Sequence, residues 1–275
     1  MERDPLLLGL VALVCGTVAW SLAPMRGSLL TGPAWLRERR AWRAVVTPLL
    51  VVAIGGTLFV GWALEEPAQS DERLSVLAWT VVVAVLALWV RALVRFVRSA
   101  VARPSGPVAV VGLLRPHVVI DPSIEESLDH EALAAALAHE AAHVRHFDPL
   151  RIALAQLATD IQWPWPRAKR RLDVWRAVLE EARDDEAVRG GVYPEDLAQA
   201  IVGAAKLATV RGGAALTGEA AIVARVSRLL DEPGREQPVR SLWFPALFTV
   251  GLVASLSLGI HFGDDIVGLL PGVLR

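Results

Sequence analysis

Four long runs of apolar residues divide the chain, and each contains few charged side chains. These runs are residues 5–23, 48–64, 74–90 and 243–261. A helix of about 20 residues is long enough to cross the roughly 30 Å hydrocarbon layer of a bilayer. The pattern therefore predicts four transmembrane helices, although any single run is also compatible with a buried helix of a protein core.

The pattern between the third and fourth runs is typical of a folded domain built from shorter elements. The β-branched segments VAVVGLL and HVVI, around Gly112 and Pro116, predict two short strands. The next element is expected to be a helix that carries AALAHEAAHVRHFD and has Asp129 as its N-cap. Further helices are expected over 149–162, with Asp148 as the N-cap, and over 166–189, 194–210 and 217–231.

These elements predict a mainly α protein with four transmembrane helices and a mostly helical domain that contains a few short β-strands. The expected divisions are a membrane domain over 1–97, a folded domain over 98–240, and a fourth transmembrane helix with a short tail over 241–275. The middle segment is long enough for one compact domain.

Basic and acidic loops alternate between the apolar runs. Arginines are concentrated in residues 24–47 and after the third run, whereas the loop between the second and third runs is acidic. Short loops rich in arginine and lysine stay on the cytoplasmic side of a membrane. The alternation therefore predicts a multi-pass protein of the cell membrane, with the N-terminus outside and the 98–240 domain in the cytoplasm.

Composition supports the membrane assignment. Of the 275 residues, 54% are hydrophobic and the mean hydropathy is +0.44, which is unusual for a soluble protein of this length. The expected partner is therefore a lipid bilayer, and the net charge of −1 gives no indication of nucleic-acid binding. The single cysteine, Cys15, excludes a disulfide within one chain.

The segment HEAAH places two histidines and a glutamate in a run of helix-forming apolar residues. At helical pitch His139 and His143 lie one turn apart on the same face, so their imidazoles can converge on one point. Buried polar groups need partners, and a divalent ion would supply one. H-E-x-x-H is the zinc-peptidase pattern, in which the histidines bind Zn²⁺ and the glutamate, here Glu140, acts on water. The alternative is a buried helix without a metal ion.

A catalytic zinc ion needs a third protein ligand, and LEEARDDEAV contains the candidates. On that helix Glu181 and Asp185 lie on a stripe with valines, whereas Glu180 and Asp184 lie on a more polar stripe. Burial therefore favours Glu181 as the ligand. Asp185, one turn further, could accept the other ring N–H of a ligating histidine. A solvated acidic helix face is the alternative.

Two motifs, HEAAHVRHFDPL and EARDDEAV, resemble those of membrane metallopeptidases of the β-lactam-sensor and antirepressor type. The segments RPHVVIDPSIEESL, WPWP and ARVSRLL are similar to other parts of that family. The resemblance implies three spans, a cytoplasmic gluzincin-type zinc domain and a fourth span. It also implies that Zn²⁺ is bound by His139, His143 and Glu181, that Glu140 is catalytic, and that Asp185 orients a ligand.

The chain departs from the sensor proteins after the fourth run. The tail GDDIVGLLPGVLR is too short for the extracellular penicillin-binding domain of those proteins, so we expect that sensor domain to be missing. A signal would then have to arrive through the membrane helices, the acidic loop or a separate sensor protein.

The resulting hypothesis is a zinc-dependent endopeptidase that cleaves a protein, such as a cytoplasmic transcriptional repressor in a signalling pathway. One alternative is a membrane-protein quality-control protease of the prenyl-protease-like type. An intramembrane protease is disfavoured by the charges around HEAAH, among them Asp129, Glu131 and Arg145. The non-enzymatic alternative is a membrane receptor or scaffold with a structural zinc site.

Overall fold

The described part of the chain is mainly helical, with two short strands. The computed structural model describes residues 31–65, 76–101, 107–210 and 219–231. The helices in these ranges are α1 (Ala34–Glu65), α2 (Val76–Val101), α3 (Pro122–Glu125), α4 (His130–Arg145), α5 (Asp148–Asp160), α6 (Pro166–Arg189), α7 (Pro194–Val210) and α8 (Glu219–Asp231). The strands are β1 (Val108–Val111) and β2 (His117–Ile120). The prediction of a mainly α chain with a few short strands is confirmed.

The two strands form an antiparallel hairpin, in which Val108 pairs with Ile120 and Val111 with His117. Gly112 begins the turn with a φ of +90°, a conformation that residues with a Cβ rarely adopt. A Cβ at this position would lie 2.6 Å from the carbonyl oxygen of Arg115, so the turn also requires the missing side chain. The hairpin packs against α4 and thereby lies next to the HEAAH segment.

Helix α6 lies between two apolar cores. Its residues Leu172, Trp175 and Leu179 pack with side chains of α1 and α5. Further along, Ala187 packs with residues of α4, α7 and α8. The C-terminal half of α6 is covered on both sides, so its polar residues Arg183, Asp184 and Asp185 are buried and need charged or hydrogen-bonded partners.

Two of the four predicted spans fall within described helices. Residues 48–64 lie in α1, and most of 74–90 lies in α2. No helix in the described ranges combines the length and the apolarity that crossing a membrane requires. The runs 5–23 and 243–261 lie outside the described residues.

Helix α2 is joined to α5 by charged contacts near its C-terminal end. Nε of Arg95 donates to the carboxylate of Asp160 at 2.9 Å. The guanidinium of Arg91 stacks on the ring of Trp163, with its central carbon 5.0 Å from the ring centroid. These arginines, which the sequence pattern marks only as topology signals, therefore also contact the folded domain.

Candidate metal centre

Helix α4 presents two histidines to the same point. Its alanine-rich sequence favours a helix, and the side chain of Asp129 caps the first turn by accepting from the backbone N–H of Ala132 at 2.8 Å, as predicted. His139 and His143 are both buried, and their Nε2 atoms lie 3.1 Å apart. Two imidazole nitrogens that converge in this way are suited to share one metal ion.

A carboxylate from α6 completes the cluster. Oε2 of Glu180 lies 3.5 Å from Nε2 of His139, and Oε1 lies 3.8 Å from Nε2 of His143. The three potential ligand atoms all lie within 4.8 Å of one another. Among the described residues, His139, His143 and Glu180 are the group of this kind that could hold a metal ion.

An aspartate on α6 lies next to the Nδ1 atom of His139. Oδ1 of Asp184 lies 3.0 Å from Nδ1 of His139, so that Nε2 is the nitrogen that faces Glu180 and His143. Burial opposes the imidazolium form, but the contacts with Asp184 and Glu180 prevail and raise the pKa of His139 to about 9. The surroundings therefore favour positive charge at this point, which is also what a bound cation requires.

A second aspartate supports His143. The backbone of Phe147 adopts a left-handed conformation with φ 54°, and the chain turns back so that Asp148 faces the preceding helix. Oδ2 of Asp148 lies 2.9 Å from Nδ1 of His143. The prediction that Asp148 caps α5 is therefore wrong: the N-cap is Phe147, and the Asp148 carboxylate is turned towards the histidine.

Asp148 is fully buried and is held by two arginines. Nη2 of Arg183 donates to Oδ1 at 3.0 Å, and Nη1 of Arg151 donates to the same oxygen at 2.8 Å. Burial opposes ionisation of the carboxyl, but its bonds with His143 and Arg183 hold the pKa of Asp148 well below its usual range. Asp148 is thus an anion that can accept the Nδ1–H of His143 and leave Nε2 free for a metal.

Arg225 of α8 joins the two acids of α6. Its Nη1 lies 3.0 Å from Oε2 of Glu180, and its Nη2 and Nε bind Asp184 at 2.8 and 3.0 Å. Burial opposes ionisation of Glu180, but the contacts with His139 and Arg225 lower the pKa of its carboxyl. Glu180 is therefore ionised, as a metal ligand must be.

The structure brings Glu180 to the histidine pair where Glu181 was expected. Glu181 instead forms an ion pair with Arg37 of α1 and lies 3.9 Å from Nε of Arg228. Asp185, the predicted orienting acid, likewise binds Arg228, at 2.6 Å. The acid of α6 that lies next to a candidate histidine ligand is Asp184, at Nδ1 of His139. Both assignments are therefore shifted by one residue, which corresponds to a rotation of about 100° around the axis of α6.

The criterion of burial explains the shift. The side chain of Glu180 is 34% exposed, whereas that of Glu181 is 21% exposed. A ligand that faces an open site retains contact with solvent, while a neighbour that only forms structural ion pairs is covered. The E-x-x-x-D spacing cannot distinguish them, because residues 180 and 184 satisfy it as well as 181 and 185 do.

A cavity of about 250 Å³ extends from the candidate metal centre. His139, Glu140, Glu180 and Arg225 form its polar end. The remaining lining is mainly apolar and includes Val108, Ile124, Leu128, Leu197 and Ile201. Glu140 is thus located beside the candidate ligands. Burial raises the pKa of its carboxyl, and the neighbouring His139 and His143 act in the opposite direction.

One comparison with known proteins found a match that includes the candidate metal centre. Residues 101–191 match the model of the Peptidase_M56 family, which is described as BlaR1 peptidase M56. The match covers the HEAAH segment and the part of α6 that carries Glu180, and it confirms the resemblance predicted from the sequence. No curated protein and no solved structure matches the chain significantly.

Proposed function

We propose that this chain, a BlaR1-like metallopeptidase by its segment 101–191, is a membrane-anchored zinc-dependent endopeptidase. The observation that carries the proposal is the convergence of three ligand atoms of His139, His143 and Glu180 within 4.8 Å. They lie beside an open cavity that is lined by a fourth polar residue, Glu140.

The donor set fits zinc better than the other common divalent ions. Two imidazoles and one carboxylate match the three protein ligands of many catalytic zinc sites, whereas calcium and magnesium prefer sites made only of oxygen atoms. Both imidazoles also have a carboxylate at Nδ1, which fixes ring orientation and strengthens the Nε2 donor. A bound zinc ion would polarise the scissile carbonyl and lower the pKa of a water molecule.

Glu140 is the residue that we assign to proton transfer. It follows His139 in the same helical turn and lines the cavity next to the ligands. In the proposed reaction its carboxylate accepts a proton from the attacking water and passes the proton to the leaving amine, so the peptide bond is cleaved without a covalent enzyme intermediate. Ionised Glu140 is the active form.

The cavity supports a peptide substrate with apolar side chains near the cleaved bond. Its lining is apolar except at the metal-centre end, and one wall is formed by Val108 of β1. A short exposed strand edge can hold an extended peptide by backbone hydrogen bonds. By resemblance to the antirepressor peptidases, we propose a cytoplasmic transcriptional repressor as the substrate.

Membrane attachment is part of the same proposal. The alternation of basic and acidic loops supports four spans, an outside N-terminus and a cytoplasmic peptidase domain. We also propose that a separate sensor protein supplies the activating signal.

The test of catalysis is the substitution Glu140→Gln. It replaces the proposed base by a neutral side chain of the same size, so we expect zinc binding to remain and hydrolysis to fall by at least about 100-fold, the lower range for loss of a general base. Zinc content would be measured by metal analysis, and hydrolysis by the accumulation of uncleaved substrate in cells and with purified enzyme.

Two control variants make the result specific. Glu131→Gln changes an exposed glutamate of the same helix and should leave both quantities unchanged. His139→Ala should abolish zinc binding and hydrolysis together. Unaltered hydrolysis in Glu140→Gln, or wild-type protein that binds no zinc, would contradict the proposed function.

A further inference from the structure

A series of buried and partly buried charged side chains leads from α1 to the candidate ligand His143. Glu38 of α1 is only 5% exposed, and its Oε1 accepts a hydrogen bond from Nε1 of Trp175 at 3.0 Å. The same oxygen forms an ion pair with Arg151. Arg151 donates to Oδ1 of Asp148 at 2.8 Å, and Oδ2 of Asp148 lies 2.9 Å from Nδ1 of His143.

The partners of Arg151 restrict its position on several sides. Its guanidinium carbon lies 4.7 Å from the ring centroid of Trp42 and 5.7 Å from that of Trp175. The two indole rings are themselves in contact, with centroids 5.1 Å apart. With Glu38 on one side and Asp148 on the other, the guanidinium is held between two carboxylates and two aromatic faces.

The charges in this series balance. Glu38 and Asp148 carry two negative charges, and Arg151 and Arg183 carry two positive charges. Without the carboxylate of Glu38, Arg151 would lose one of its two carboxylate partners, so its guanidinium would be held less firmly against Asp148.

Anchoring of α1 does not by itself account for a buried glutamate. Ala41 and Val45 already pack α1 against α5 and α6. A buried ion pair is often no more stabilising than apolar groups of similar volume. A buried carboxylate at position 38 is better explained by what it does to Arg151.

We propose that Glu38 is a positioning residue for the candidate zinc ligand His143. Glu38 fixes Arg151, Arg151 holds one oxygen of Asp148, and Asp148 keeps Nδ1–H of His143 bonded so that Nε2 faces the metal centre. This inference rests on the proposed function, because it assumes that His143 binds zinc.

The test compares Glu38→Gln with Arg95→Gln in the full chain. Arg95→Gln breaks the contact between α2 and Asp160 at the opposite end of α5 and leaves the His143 series intact. We expect Glu38→Gln to weaken zinc binding by about 3- to 10-fold, less than the about 10- to 100-fold typical for a direct partner of a ligating histidine. Arg95→Gln should bind zinc like the wild type. Affinity would be measured by chelator competition.

A double-mutant cycle identifies the route. If Glu38 acts through Asp148, Glu38→Gln should add no further loss of zinc affinity in an Asp148→Asn background. The visible absorption of cobalt-substituted protein should change in Glu38→Gln and not in Arg95→Gln, because only the former alters the orientation of a ligand. If Glu38→Gln does not fold, Trp175→Phe, which removes the donor to Glu38, should shift zinc affinity in the same direction.

The outcomes separate the two proposals. Wild-type protein that binds no zinc overturns the proposed function. Wild-type protein that binds zinc, together with equal affinities in Glu38→Gln and Arg95→Gln or with additive losses in the cycle, overturns the role of Glu38 alone.

Discussion

Adjacent glutamates on α6 have different surroundings. Glu180 faces two imidazole nitrogens and Arg225, whereas Glu181 faces Arg37 of α1 and Arg228 of α8. Two arginines three residues apart on α8 contact these acids. Arg225 binds Glu180 and Asp184, whereas Arg228 contacts Glu181 and binds Asp185.

Glutamine at each position provides a matched test. Glu180→Gln should weaken zinc binding by more than the about 10- to 100-fold that loss of an outer partner costs, because it removes a ligand charge. Glu181→Gln changes the neighbouring residue in the same way and should stay within about threefold of the wild-type affinity, since it only weakens ion pairs at the surface of the site. The measurement is chelator competition at constant pH.

The reverse ranking, with zinc lost from Glu181→Gln and retained by Glu180→Gln, would restore the assignment made from the sequence. The sequence could predict that His139 and His143 converge with Glu140 beside them, because the spacing within one helix fixes which side chains share a face. It could not fix the rotation of α6 relative to α4. That rotation depends on contacts such as those of Trp175 and Leu179 with α1, which are distant in sequence.

At the scale of elements, the helices were predictable where their ends carry strong signals. Pro166 at the start and Gly190 after the end bound α6 at the predicted residues. The N-terminus of α5 was not predictable, because an aspartate before a proline is also a typical cap. The left-handed turn at Phe147 gave Asp148 another role, and no sequence signal distinguishes the two roles.

The hairpin provides a test at this scale through Gly112. Gly112→Ala should lower the free energy of unfolding by more than the about 1–2 kcal/mol typical of a left-handed alanine, because its Cβ would also meet the Arg115 carbonyl oxygen. It should lower kcat/KM for peptide cleavage too, since β1 contributes Val108 to the cavity. Chemical denaturation and peptide hydrolysis measure the two effects.

Gly191→Ala is the matched control. Gly191 also has a positive φ, +101°, but a Cβ there would meet no atom within 4 Å. This variant should lose only about 1–2 kcal/mol and should cleave peptides like the wild type. An equal loss of cleavage in both variants would show that the hairpin has no particular role in the reaction.

At the scale of the whole molecule, the sequence predicts a side of the membrane for the metal centre, and labelling can test it. Position 131 is exposed on α4, so Glu131→Cys in a Cys15→Ser background should react with an impermeant maleimide only after cells are ruptured. Gln69→Cys, in the acidic loop predicted to lie outside, should react in intact cells. Labelling would be read by mass shift.

Reaction of the Glu131→Cys variant in intact cells would reverse the predicted orientation. Protection of its thiol both before and after rupture would instead favour burial of the HEAAH helix in lipid. Either result would leave the geometry of the metal centre unchanged, because the ligands are brought together by contacts among α4, α5, α6 and α8.

The turn at Phe147 also determines the order in which the centre can assemble. His139 and His143 lie on α4, and Asp148 begins α5 directly after the turn at Phe147, so this half forms without closing a long loop. Glu180 and Asp184 can join only when the loop between α4 and α6 closes. Arg225 requires the closure of a longer loop, because it lies further along the chain on α8. The entropic cost of closing a loop rises with its length. We therefore expect the two histidines and Asp148 to come together first during folding, and Glu180, Asp184 and Arg225 to join them afterwards.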